Sequence, residues 1–177
     1  MQKKKLILSL FLASVLFACF FVFLTLVVCY YNFKIDILNN QIIKLRNPIL
    51  NSFFVIFSYL GNFFVLSTIV LIAFLVMRIK YKQKFKSWFL ILSFAFVSVV
   101  NFLIKNVVKR ARPDVMLFQE FSYSFPSWHS MITCFVFGVL IFFALKYLKN
   151  KPLKIILTAV FSLIIALMAF ARVYLGV

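Results

Sequence analysis

Apolar residues run along this chain in blocks at 6–30, 62–77, 88–107, 130–147 and 153–170, each separated from the next by charged residues. A bilayer core takes about 20 apolar residues as a helix, so the pattern predicts an all-α, polytopic transmembrane bundle of about five spans. The stretch 48–61 is also apolar. It reads either as a short interfacial helix that Gly61 breaks from the second span, or as an extension of that span. No internal repeat, low-complexity tract or second domain interrupts residues 1–177, which form a single transmembrane domain.

Composition strengthens the membrane reading. The chain is 66% hydrophobic and 13% charged, with mean hydropathy +1.10, far outside the soluble range. Twenty Lys and Arg against three Asp and Glu give a net charge of +17, which in a soluble protein would suggest nucleic acid. Here no soluble basic face or RNA-binding strand is recognisable, and cations at span ends serve orientation and headgroup contact instead. Cys19, Cys29 and Cys134 lie inside apolar stretches with no Cys or His spaced to share a metal, so neither a disulfide nor a zinc site is expected. Leu16-Phe17-Ala18-Cys19 loosely resembles a lipoprotein signal, but the apolar run continues to Tyr30, as in an uncleaved helix.

Charge sets the orientation. Lys3 to Lys5, Arg78, Lys80, Lys82, Lys84 and Lys86, and Lys146, Lys149, Lys151 and Lys154 fall on one side of the spans. By the positive-inside rule that side is cytoplasmic, with the N-terminus inside and loops 31–48 and 108–129 facing out. All three acids, Asp36, Asp114 and Glu120, fall on the outer side.

Against that rule, the outer loop opens with Lys105, Lys109, Arg110 and Arg112 in close succession. Lys105, Lys109 and Arg112 are spaced i, i+4, i+7, so a helix continuing from the third span would present them on one face until Pro113 turned the chain away. One reading is a cradle for a doubly charged anion such as a phosphate ester; the other is a polybasic end touching lipid headgroups. The same loop closes with Phe125-Pro126-Ser127-Trp128-His129-Ser130, which puts the only histidine at the mouth of the fourth span. Alone it would read as a polar tip in an aromatic belt. Beside four cations and a helix start, whose free N–H groups favour anions, it completes the parts needed for phosphoryl transfer.

At these residues the sequence resembles the type 2 phosphatidic acid phosphatase family, integral-membrane lipid phosphatases marked by K-x6-R-P, P-S-G-H and S-R-x5-H-x3-D. Lys105 through Arg112-Pro113 matches the first motif. Pro126-Ser127-Trp128-His129 matches the second with Trp128 in place of Gly, and Ala171-Arg172 opens the third with Ala171 in place of Ser. If the Gly position needs positive φ, Trp128 would be strained there. The resemblance implies that Lys105, Arg112 and Arg172 hold the phosphate oxygens, aided by Ser127 and the backbone amides around Trp128. It implies that His129 is the general acid, that a second histidine attacks phosphorus to give a phosphohistidine, and that no cofactor or metal takes part.

That second histidine would fall one position after Val177, followed by an aspartate and a sixth span. The expectation is therefore a family member lacking its C-terminal end, with little activity in the 177 residues as written. The expected substrate is a lipid phosphate or diphosphate, such as phosphatidate, phosphatidylglycerol phosphate or undecaprenyl diphosphate, in a bacterial plasma membrane. The alternative is a non-catalytic protein that binds phospholipid or polyprenyl phosphate without turnover. A transporter fits less well, since no carboxylate lies at mid-bilayer and no inverted repeat is visible.

Overall fold

A computed structural model describes residues 42, 44–112, 116–117 and 120–177. The first expected span, 6–30, lies outside the described residues, as do Asp36 and Asp114. Helix α1 covers Pro48–Ser58 and runs through a 3₁₀ turn, Tyr59–Gly61, into α2, Phe63–Ile79; α3 covers Lys84–Val108, α4 Trp128–Tyr147 and α5 Lys151–Leu175. No strand occurs among the described residues.

Polar caps, rather than the apolar runs themselves, set where the helices begin. Asn47, Asn62, Ser127 and Asn150 accept hydrogen bonds from Leu50, Phe64, Ser130 and Leu153 N–H respectively, satisfying first-turn donors that have no partner inside a helix. Pro48 and Pro152 sit in first turns, where the missing N–H costs nothing. Gly176 closes α5 in the left-handed region at φ 74°, with Val177 N–H bonding Arg172 C=O and Gly176 N–H bonding Val173 C=O. This Schellman closure fixes the turn that carries Arg172.

α3, α4 and α5 are long and apolar enough to cross a membrane; the pair Pro48–Gly61 and Phe63–Ile79 reaches that standard together but is bent by 47°. So α1 is a separate helix, set at an angle to α2 instead of lengthening it straight. Large apolar side chains such as Phe89, Phe96, Leu103 and Ile155 point outward along the spans, as lipid contact requires.

Two clusters hold the bundle together. Leu66, Val70 and Met77 of α2 meet Leu90 of α3 and Ile132, Val136 and Phe137 of α4. Phe54 of α1 meets Ala171, Tyr174 and Leu175 at the end of α5. Arg46 reinforces the second cluster, donating from Nε and Nη2 to Tyr174 C=O at 3.1 and 2.8 Å, while Tyr174 Oη donates to Asn51 Oδ1 at 2.8 Å. The end of α5 is thus clamped from the α1 side.

Candidate active site

The end of α3, the start of α4 and the end of α5 lie at one end of the bundle, where Arg112, Glu120 and Ser122 of the connecting loop meet Lys105 and Arg172. α3 stops at Val108 because Lys109 takes the left-handed conformation, φ 47°, with its N–H on Lys105 C=O. This corrects the expectation of one basic helical face: Lys109 is an exposed cap, and Arg112 reaches the site from the loop. Lys105 remains on the last helical turn, its Nζ donating to Ser122 Oγ at 3.4 Å.

Arg112 is held from several sides. Its Nε donates to Ser122 C=O at 2.7 Å and its Nη2 to Ser122 Oγ at 3.1 Å. Nη2 also pairs with Glu120 Oε2 at 2.5 Å, while Arg172 Nη2, from the last turn of α5, pairs with Glu120 Oε1 at the same distance. One carboxylate therefore bridges two guanidiniums whose side chains are only 7% and 4% exposed. Burial alone would raise the Glu120 carboxyl. The Arg172 hydrogen bond and the charges of Arg172 and Arg112 outweigh it and hold Glu120 below the usual carboxylate range. For Arg112, burial is the larger influence and lowers the guanidinium from its ordinary value against the opposing charge of Glu120.

His129 is the second residue of α4, within reach of the charges of Arg172, Glu120, Lys105 and Arg112. Its ring lies against the 3₁₀ turn, and a Cβ added at Gly61 would stand 2.8 Å from His129 Cδ2 and 3.1 Å from Met168 Cε. Gly61, read from sequence as a helix breaker, is thus also a point where backbone packs close against the histidine with no room for a Cβ. Ser127 caps α4: its Oγ accepts from Ser130 N–H at 3.4 Å and from Ser130 Oγ at 3.3 Å. Trp128 is helical and outside the positive-φ residues. Its indole packs on Phe63 with ring centroids 5.9 Å apart, so the residue replacing Gly here is accommodated without backbone strain. Its amide and that of His129 belong to the first turn, where helix N–H groups lack intrahelical acceptors.

Every residue singled out from sequence, Lys105, Arg112, Ser127, Trp128, His129 and Arg172, falls at this end of the bundle. Three others were not singled out. Glu120 had one signal, being one of three acids in a chain of charge +17. Ser122 had none, and Gly61 was noticed for another reason. A cavity of about 420 Å³ elsewhere, lined by residues including Ile72, Val76, Tyr81, Leu140, Tyr147 and Phe161, contains no charged side chain. Lys105, Arg112, His129 and Arg172 are not among its lining residues.

Residues 86–177 match the family model of the PAP2 superfamily. The chain is 30% identical over 148 residues to phosphatidylglycerophosphatase B of Bacillus subtilis (strain 168), covering 80% of this chain and 70% of that protein. A crystal structure described as the first transmembrane PAP2 type phosphatidylglycerolphosphate phosphatase, also from Bacillus subtilis, matches with TM-score 0.82 and 28% identity over 92% of this chain and 83% of the other. The all-α, multi-pass membrane architecture expected from the apolar blocks is thereby borne out.

Proposed function

We propose, from the premise that this chain belongs to the PAP2 superfamily, that its bundle end is the phosphate-binding and proton-donating part of a membrane lipid phosphatase. The observation that carries this reading is that Arg112 from the loop and Arg172 from the end of α5 share Glu120, while Lys105 at the end of α3 reaches Ser122, which also holds Arg112, and His129 at the start of α4 packs on Gly61 at the same end of the bundle. Scattered lipid-contacting cations would not be enclosed around one shared carboxylate. The kinship to phosphatidylglycerophosphatase B supports a glycerophospholipid phosphate as substrate.

In this reading Arg112 and Arg172 supply guanidinium forks to the phosphate oxygens, Lys105 adds a point charge, and the amides at Trp128 and His129 add helix-end donors. Ser127 caps the helix that presents them. In turnover, which needs a nucleophile beyond these residues to bond to phosphorus as the P–O bond to the alkoxide breaks, His129 would pass its proton to the leaving oxygen so that the lipid alcohol departs neutral. With the cationic loops 79–84 and 148–151 at the opposite end, the positive-inside rule supports an outward-facing site, lipid tails in the bilayer and headgroup in the basic pocket.

The 177 residues contain one histidine, and this reading assigns it the role of acid. The attacking imidazole of a phosphohistidine pathway is therefore not among them, which favours binding over turnover for a polypeptide of these residues alone. Purified chain in mixed micelles with a short-chain phosphatidate tests both parts. We expect saturable binding that His129→Ala preserves and Arg112→Ala removes, with phosphate release near background. Binding indifferent to Arg112→Ala would refute the site, and release abolished by His129→Ala would refute the restriction to binding.

A further inference from the structure

Glu120 stands where the proposed phosphate would bind. Its two oxygens are both committed, one to Arg112 and one to Arg172. Donors remain around it: Arg112 Nη1 is buried with no hydrogen-bond partner among the described residues, and Lys105 Nζ reaches only Ser122 Oγ, at 3.4 Å. A phosphate monoester offers one more non-bridging oxygen than a carboxylate and up to twice the charge, so it matches this donor set better than Glu120 does. Two anions cannot share the same guanidinium Nη2 groups without strong repulsion. Glu120 also has somewhere to go, since it comes from the connecting loop and its side chain is 20% exposed. Arg112 keeps its bonds to Ser122 C=O and Oγ without it, at 2.7 and 3.1 Å.

We propose that Glu120 is an internal anion that holds Arg112 and Arg172 together and is displaced by the phosphate group of the incoming ligand. This rests on the reading of Lys105, Arg112 and Arg172 as the phosphate cradle. Glu120 neutralises one of three neighbouring cations, keeping the arginines aimed at a common point, and it sets a threshold that only a strong anion passes. Monovalent carboxylates, with no more to offer than Glu120, are excluded.

The test is titration of inorganic phosphate into the purified full chain in detergent, for wild type, Glu120→Gln and Arg112→Ala. Removing a competitor that occupies the site most of the time raises apparent affinity by the inverse of the free fraction, so Glu120→Gln should bind about tenfold more tightly. Equal or weaker binding by Glu120→Gln overturns the displacement proposal and leaves the cradle standing. Arg112→Ala binding like wild type, or no saturable binding in any form, overturns the cradle itself and the proposal with it. A Glu120→Gln protein too unstable to titrate is read by thermal melting. Phosphate should raise its melting temperature more than that of wild type, and an equal or smaller rise contradicts displacement.

Discussion

Both ends of this bundle are rich in cations, yet the two sets live in different surroundings. At the end formed by Arg78 to Lys86 and Lys146 to Lys154, charged heads remain near solvent and lean on aromatic rings: Arg78 lies 6.0 Å from the Phe74 ring and 5.9 Å from Trp88, and Lys146 lies 5.1 Å from Phe142. Such contacts suit an interface where stems bury and charges stay wet. At the other end Arg112 and Arg172 are almost fully enclosed and share one carboxylate. The lesson is that counting cations orients a membrane protein, whereas their burial and partners identify chemistry. Burying a charge is expensive unless it is paired, so a buried pair of arginines marks a place where an anion belongs.

Substitutions at the two ends should therefore differ most. Arg112→Ala and Arg172→Ala each remove a buried, charge-assisted donor and should weaken phosphate binding by at least about 2 kcal/mol, roughly thirtyfold. Lys149→Ala, at the solvated end, should leave affinity within about twofold, as screened surface charges do. Titration calorimetry on the three variants checks the contrast, and similar losses at both ends would erase it.

A pair of glycines carries the comparison into packing. A Cβ at Gly61 meets His129 at 2.8 Å, whereas one at Gly138, within α4, meets nothing within 4 Å. Gly61→Ala should cost about 1–3 kcal/mol of stability through overpacking, together with a displaced His129. Gly138→Ala should be neutral or stabilising by up to about 1 kcal/mol, as an alanine in a helix interior is. Thermal melts in detergent distinguish them, and equal shifts would mean that the 3₁₀ turn gives way freely.

Much of this arrangement is legible in the sequence, and the remainder is hidden for identifiable reasons. Lys105, Arg112, His129 and Arg172 stand out because alternation with apolar spans returns the chain to one side at each of them. The end of α3 does not, since a left-handed cap at Lys109 leaves no mark in an apolar pattern; the i, i+4, i+7 spacing therefore overstates the helix. The Gly61 contact with His129 is non-local and crosses from one helix junction to another, so spacing along the chain cannot reveal it. Glu120 is visible as a rare acid, but its bridge between Arg112 and Arg172 depends on the path of a loop with no periodicity.

Two smaller effects sharpen the contrast between the enclosed and solvated ends. Ser127→Ala removes the α4 cap and should cost about 1 kcal/mol, with its loss appearing in melting temperature. Because the folded state holds Glu120 below the usual carboxylate range, its contribution to stability is fully present above that range and is lost as pH falls through the depressed value. Acid melts from about pH 5 down should show wild type losing stability that Glu120→Gln does not lose. Parallel curves would remove Glu120 from the stability of the site.

The most direct test of the central claim is binding of a short-chain phosphatidate to wild type and to the double variant Arg112→Ala/Arg172→Ala, in detergent micelles at fixed salt. The enclosed arginine pair predicts saturable binding by wild type and none by the double variant, with both proteins folded by circular dichroism. Equal affinity in the two would contradict it, and would return the buried cations to a purely structural role.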